Sequence, residues 1–140
     1  MSLNRTLLGI LVFAFCVPAM AQSSSYDEEL STLSANLRAL MTRAERLPSR
    51  DVSGRVAVQK DLFELSKRLH RLEEEAMGAN VELQRRGNAP DRQLLLSASI
   101  SKALDLAQSL TSYYLDTGDK VFWSSALAAA QQARSLQAAR

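Results

Sequence analysis

Val58, Leu62, Leu65, Leu69, Leu72, Ala76, Ala79 and Leu83 recur at alternating intervals of four and three. That rhythm puts all eight side chains on one stripe of a helix and commits the middle of the chain to helix-on-helix packing. The same alternation precedes it in Leu30, Leu33, Leu37, Leu40, Ala44 and Leu47, with Arg38, Arg43, Glu45 and Arg46 outside the stripe. It follows in Leu96, Ile100, Ala103, Ala107, Leu110 and Tyr114, widened by Leu94, Leu95, Leu104, Leu106 and Leu115. A face that broad suggests contact with two neighbours. Phe122, Ala126, Ala129, Ala133 and Leu136 form a fourth, alanine-rich stripe suited to close axis approach.

The punctuation agrees with four helices. Ser24 and Ser25 are candidate N-caps, with Glu28 at capping-box spacing from Ser25. Pro48 stops the first helix, and Asp51 or Ser53 is placed to cap the second. Arg86-Gly87-Asn88 followed by Pro90 closes the second, Pro90-Asp91 opens the third, and Thr117-Gly118-Asp119 makes the last reversal before Lys120. No segment alternates with β-branched enrichment, and no repeat indicates a solenoid. The expected fold is therefore all-α: an antiparallel up-down four-helix bundle.

At 1.5 Å per residue the second helix would reach roughly 50 Å and the first roughly 33 Å, so one must overhang. Three solutions are open. Gly54 to Val58 bends away, the helix kinks near Gly78, or its lower half pairs chiefly with the third helix.

The first 21 residues read as an export signal: Arg5 supplies a basic start, Leu7 to Val17 an apolar run, and Pro18 leads into Ala19-Met20-Ala21. Cleavage before Gln22 leaves residues 22–140 as one helical domain, periplasmic or secreted and not membrane-spanning. Cys16 is the only cysteine and leaves with the leader. Disulfides, thiolate metal sites and cysteine nucleophiles are then unavailable, and the domain must stand on its packed core. Losing Arg5 leaves 16 basic residues against 15 acidic ones. So near-neutral a total gives no general drive toward nucleic acid or anionic lipid.

Motifs for chemistry are few. No GxGxxG, phosphate loop or HExxH occurs, and any Ser-His-Asp arrangement would depend wholly on His70. His70, Glu73, Glu74 and Met77 lie along one helical stripe that a metal could use, although a solvated histidine paired with Glu74 explains them more simply. Arg85, Arg86 and Arg92 form a small basic cluster of the kind expected at a helix C-terminus. Secreted chorismate mutases hold a dicarboxylate inside a helical bundle with basic side chains; Arg38, Arg43, Arg55 and Lys60 offer the charges without that family's ordered pattern, and a small secreted helical enzyme of that type is a further alternative.

Topology supplies the principal candidate. In an up-down bundle the first and third connections share an end, bringing Arg43, Arg46, Arg50 and Arg55 toward Tyr113, Tyr114, Phe122 and Trp123. Successive residues of a helix cannot face one way, so one of Tyr113 and Tyr114, and one of Phe122 and Trp123, should lie near the surface. Arginine beside aromatic surface suits a protein interface or an anionic ligand with apolar parts. The expected function is non-enzymatic binding of another envelope or secreted protein, as adaptor, inhibitor, immunity factor or secretion accessory, with no cofactor. A small-ligand or metal carrier is the second class. Self-association through the broad face of the third helix is the third.

Overall fold

The structure, a computed structural model, describes the backbone from Ala19 to Arg140 and side chains from Ser25 onward. It holds four helices, α1 (Ala19–Arg46), α2 (Val52–Arg85), α3 (Arg92–Thr117) and α4 (Lys120–Ala138), with no strand among the described residues. None of these helices is long and apolar enough to cross a membrane. Most of the expected leader lies outside the described residues.

The α1 start differs from expectation. Helix α1 runs straight through Ser24 and Ser25, so neither caps it. Ala19, Met20 and Ala21 are strong helix formers directly after a proline, and nothing in Gln22 to Ser25 is unfavourable enough to stop the helix. The earlier start adds roughly 9 Å, which removes about half of the overhang that α2 would otherwise have.

Helix α2 is uninterrupted through Gly78, and it rests chiefly on α3. Asp51 is its N-cap, the carboxylate accepting from the Gly54 N–H at 2.8 Å. At the far end the Asn88 N–H reaches Leu83 O at 3.0 Å and the Gly87 N–H reaches Gln84 O at 2.9 Å. These two bonds satisfy carbonyls that would otherwise be orphaned. Helix α3 closes on Gly118, whose φ of 71° lies in the left-handed region. Asp91 and Asp119 cap α3 and α4.

Consecutive helices run in opposite directions. Glu29 pairs with Arg68 and Arg43 with Asp61 across α1 and α2. Ser66 meets Asp105, Leu69 meets Ser101, and Gln59 meets Asp116 across α2 and α3. Tyr113 stacks on Phe122 near one end of α3 and α4, while Arg140 reaches Ser97 near the other.

The core joins Leu30, Leu33, Leu37, Leu40, Met41 and Ala44 of α1 to Val58, Leu62, Leu65, Leu69 and Leu72 of α2. The α2 seam departs from expectation at its end: Ala76 is buried, but Asn80 replaces Ala79 and Leu83 as the next buried residue. An α-helix gains about 20° per heptad on a strict seven-residue repeat, so the inward stripe shifts by a position. The Asn80 side-chain oxygen accepts the Asp91 N–H at 2.8 Å, fastening the α2–α3 connection.

Helix α3 is the hub. Its backbone approaches those of α1, α2 and α4, whereas among the described residues the α4 backbone closely approaches that of α3 alone. Two seams make this possible. Ile100, Ala103 and Ala107 belong to the stripe read from sequence. Leu94, Ser97, Ser101, Leu104, Gln108, Thr111 and Leu115 form a second buried stripe in strict three-four alternation. Its hydroxyls are satisfied by backbone: Ser97 donates to Gln93 O, Thr111 to Ala107 O, and Ser101 across to Leu69 O. Leu95 and Leu106, expected to widen the inward face, are exposed instead.

The ring of helices does not close. Among the described residues no Cα of α1 comes within 8 Å of a Cα of α4. Ala126, Ala129 and Ala133 are buried as α4 leans onto α3, and α1 settles over the small residues of α3 rather than beside α4. The bundle is consequently open along one side.

Candidate functional site

The first and third connections do lie together. The Arg55 guanidinium donates to Ser49 O at 2.9 Å and to Asp116 O at 3.5 Å, linking the two. Arg55 and Tyr114 line the same shallow depression with Leu47 and Gly118. The other members of the basic and aromatic set diverge. Arg43 bonds Asp61 at 3.2 Å on the α1–α2 side, while Arg46 and Arg50 are exposed and form no ion pair among the described residues.

The four aromatics form two pairs that point different ways. Tyr113 and Phe122 stack with centroids 5.5 Å apart; Tyr114 and Trp123 tilt at 5.2 Å. Tyr113 lines a groove with Gln59 and Phe63 of α2, whereas Trp123 lines a groove with α1 residues. Tyr113 is exposed and Tyr114 half-buried, but Phe122 and Trp123 are both half-buried. Each is covered by the tyrosine it meets, which one-helix reasoning could not anticipate.

The open side of the bundle is the more developed feature. Between α1 and α4 lies a pocket of about 150 Å³ lined by Leu37, Met41, Leu104, Trp123, Leu127 and Ala130, with Arg38, Glu45 and Arg134 at its edges. Two facing rows create it. Ser34, Arg38, Met41 and Glu45 follow each other at intervals of four, three and four on α1, as Trp123, Leu127, Ala130 and Arg134 do on α4. Each row flanks the buried stripe of its own helix. The groove continues past Ser34 and Arg38 to Asp27, Gln137 and Arg140.

Arg140 closes that end. Its guanidinium pairs with Asp27 of α1 and bonds the Ser97 hydroxyl of α3, while its Nε is buried without a partner. Burial lowers the Arg140 pKa below the usual arginine range. Arg38 and Arg134, in contrast, are exposed and form no ion pair among the described residues. Their charge is available to a partner.

Sequence reasoning singled out Trp123 for the basic end of the bundle, not for this groove, and did not read Arg38, Met41, Leu127, Ala130 or Arg134 as its companions. The signal was present as a second four-three-four row beside each main stripe. It went unread because each row mixes arginine with apolar residues, which resembles an ordinary helix boundary.

His70 is exposed, with its Nε2 3.2 Å from a Glu74 carboxylate oxygen. Among the described residues no three of His, Cys, Asp and Glu are grouped as a metal would require. Arg38, Arg43, Arg55 and Lys60 do not converge: Arg38 edges the groove, Arg43 is on Asp61, Arg55 is on the loops, and Lys60 is exposed. No family model, curated protein or solved structure matches the chain.

Proposed function

We propose that residues 22–140, released from a leader of residues 1–21, act outside the cytoplasm by binding another protein rather than by catalysis. The observation that supports this most is the open α1–α4 side, where two parallel rows of side chains flank an apolar floor with free arginines at its edge. A helix laid into such a groove would bury Trp123 and Leu127 in the manner of helix-in-groove recognition. Acidic residues flanking its apolar stripe would meet Arg38 and Arg134.

The test is capture of envelope proteins by the exported product, with the captured protein then purified and its affinity measured directly. Trp123→Ala and the double reversal Arg38→Glu with Arg134→Glu should each weaken affinity at least tenfold, about 1.4 kcal/mol or more, at unchanged helicity. Full affinity in both variants would remove the groove as the binding surface. N-terminal sequencing of that product should begin at Gln22.

A further inference from the structure

We propose that two copies of the chain associate through the outward face of α3, antiparallel, about a twofold axis near residue 104. This goes beyond the reading above, because it uses the side of the molecule away from the α1–α4 groove.

Helix α3 is flanked by the other three helices, and one row along it is left largely uncovered: Leu95, Ser99, Lys102, Leu106 and Tyr113 are exposed and Ser109 is half-buried. Three of the six are large apolar residues left 38%, 51% and 55% exposed, at Leu95, Leu106 and Tyr113. Their intervals of four, three, four, three and four read the same in both directions. Turned end for end and laid on a second copy, Leu95 meets Tyr113 of the partner subunit, and Ser99 meets Ser109 of the partner subunit. Near the axis, Lys102 meets Leu106 of the partner subunit. An isologous interface requires this kind of self-complementarity.

Charge agrees with the register. Lys102 is exposed and forms no ion pair among the described residues. Asp105, one turn along, uses Oδ1 for both the Ser66 hydroxyl at 2.6 Å and the Gln108 amide at 3.4 Å, leaving Oδ2 without a partner among the described residues. In the twofold arrangement Lys102 lies beside Asp105 of the partner subunit. Its methylene stem then covers Leu106 while its ammonium reaches the carboxylate. The two serine positions allow the backbones to approach, and Phe63 of α2, 61% exposed in the groove beside Tyr113, extends the apolar contact at each end. The row spans roughly 27 Å, so the contact belongs to the small, reversible class and should dissociate on dilution.

The register can be read by crosslinking. In a Cys16→Ser background, which leaves the chain without cysteine, Ser99→Cys and Ser109→Cys are made singly and oxidised with glutathione disulfide, alone and mixed. The mixture should yield a disulfide-linked dimer several-fold faster than either variant alone. In this register the two copies of position 99 lie roughly 15 Å apart along the helix, beyond disulfide reach, whereas 99 and 109 face each other. Sedimentation should show a concentration-dependent dimer that Leu106→Glu abolishes at unchanged helicity. Equal crosslinking in all three samples, a monomer at every concentration, or a dimer that survives Leu106→Glu would overturn the assignment. Capture through the α1–α4 groove reports on the other reading independently, since Leu106 is remote from it.

Discussion

Two glycines of one helix carry opposite expectations at the level of single residues. A Cβ on Gly54 would lie 2.5 Å from an Asp51 carboxylate oxygen and 2.8 Å from Leu47 Cδ2, whereas one on Gly78 meets nothing within 4 Å. Gly54→Ala therefore breaks the α2 N-cap and should cost about 1–2 kcal/mol despite alanine's better propensity. Gly78→Ala should gain about 0.5–1 kcal/mol, because glycine in a helix interior is disfavoured by that amount. Urea midpoints moving in opposite directions would show both effects. Gly78 stood out in the sequence as a weak point, but its sense was not legible there. An uninterrupted helix makes it only a propensity cost, while the closeness of Gly54 to Asp51 and Leu47 depends on how the chain turns. Tyr26 gives a pH expectation: burial, then the negative charges of Glu75 and Glu29, raise its pKa above the usual tyrosine value. A raised folded-state value means stability is complete below that range and falls as pH rises through it. From about pH 10 upward the Tyr26→Phe variant should lose less stability than the parent in alkaline denaturation.

Among the elements, α3 shows where reading by hydrophobic period stops. Its alanine and isoleucine seam was visible because the residues are apolar, and so were the helix bounds set by Asp91 and Gly118. The second seam was hidden because four of its seven members are Ser97, Ser101, Gln108 and Thr111. A serine that returns its hydroxyl to a carbonyl behaves inside a helix interface as a small spacer, and composition alone cannot separate it from a solvated serine. Ser101 tests this directly. It is fully buried, and its hydroxyl donates to Leu69 O on α2. Ser101→Ala should cost only about 0.5–1.5 kcal/mol for the lost hydrogen bond. Ser101→Leu should cost about 1–3 kcal/mol or more, because the larger side chain forces α2 and α3 apart. If the leucine variant proved the more stable by thermal unfolding, the close α2–α3 approach at this level would be wrong.

The whole molecule is shaped by an imbalance: α3 lies close to three neighbours while the backbones of α1 and α4 stay apart among the described residues. Sequence periodicity announced four amphipathic helices but not this, since stripe positions say which face turns inward and not which pairs of helices share it. Alanine decides the matter. Small residues at Ala126, Ala129 and Ala133 draw α4 onto α3, and the same shift carries Leu127 and Ala130 to the edge of an uncovered groove. Two adjacent parts of α4 should then answer differently to the same enlargement. Ala126 is fully buried, so Ala126→Leu overfills the α3–α4 contact and should cost about 1–3 kcal/mol. Ala130 lines the open groove, so the larger side chain of Ala130→Leu extends into the groove rather than into the packed α3–α4 contact and should leave stability within about 0.5 kcal/mol. The bulkier side chain also occupies the floor where a partner helix would lie. The variant should therefore melt like the parent yet lose capture, a combination that a groove without an occupant would not produce.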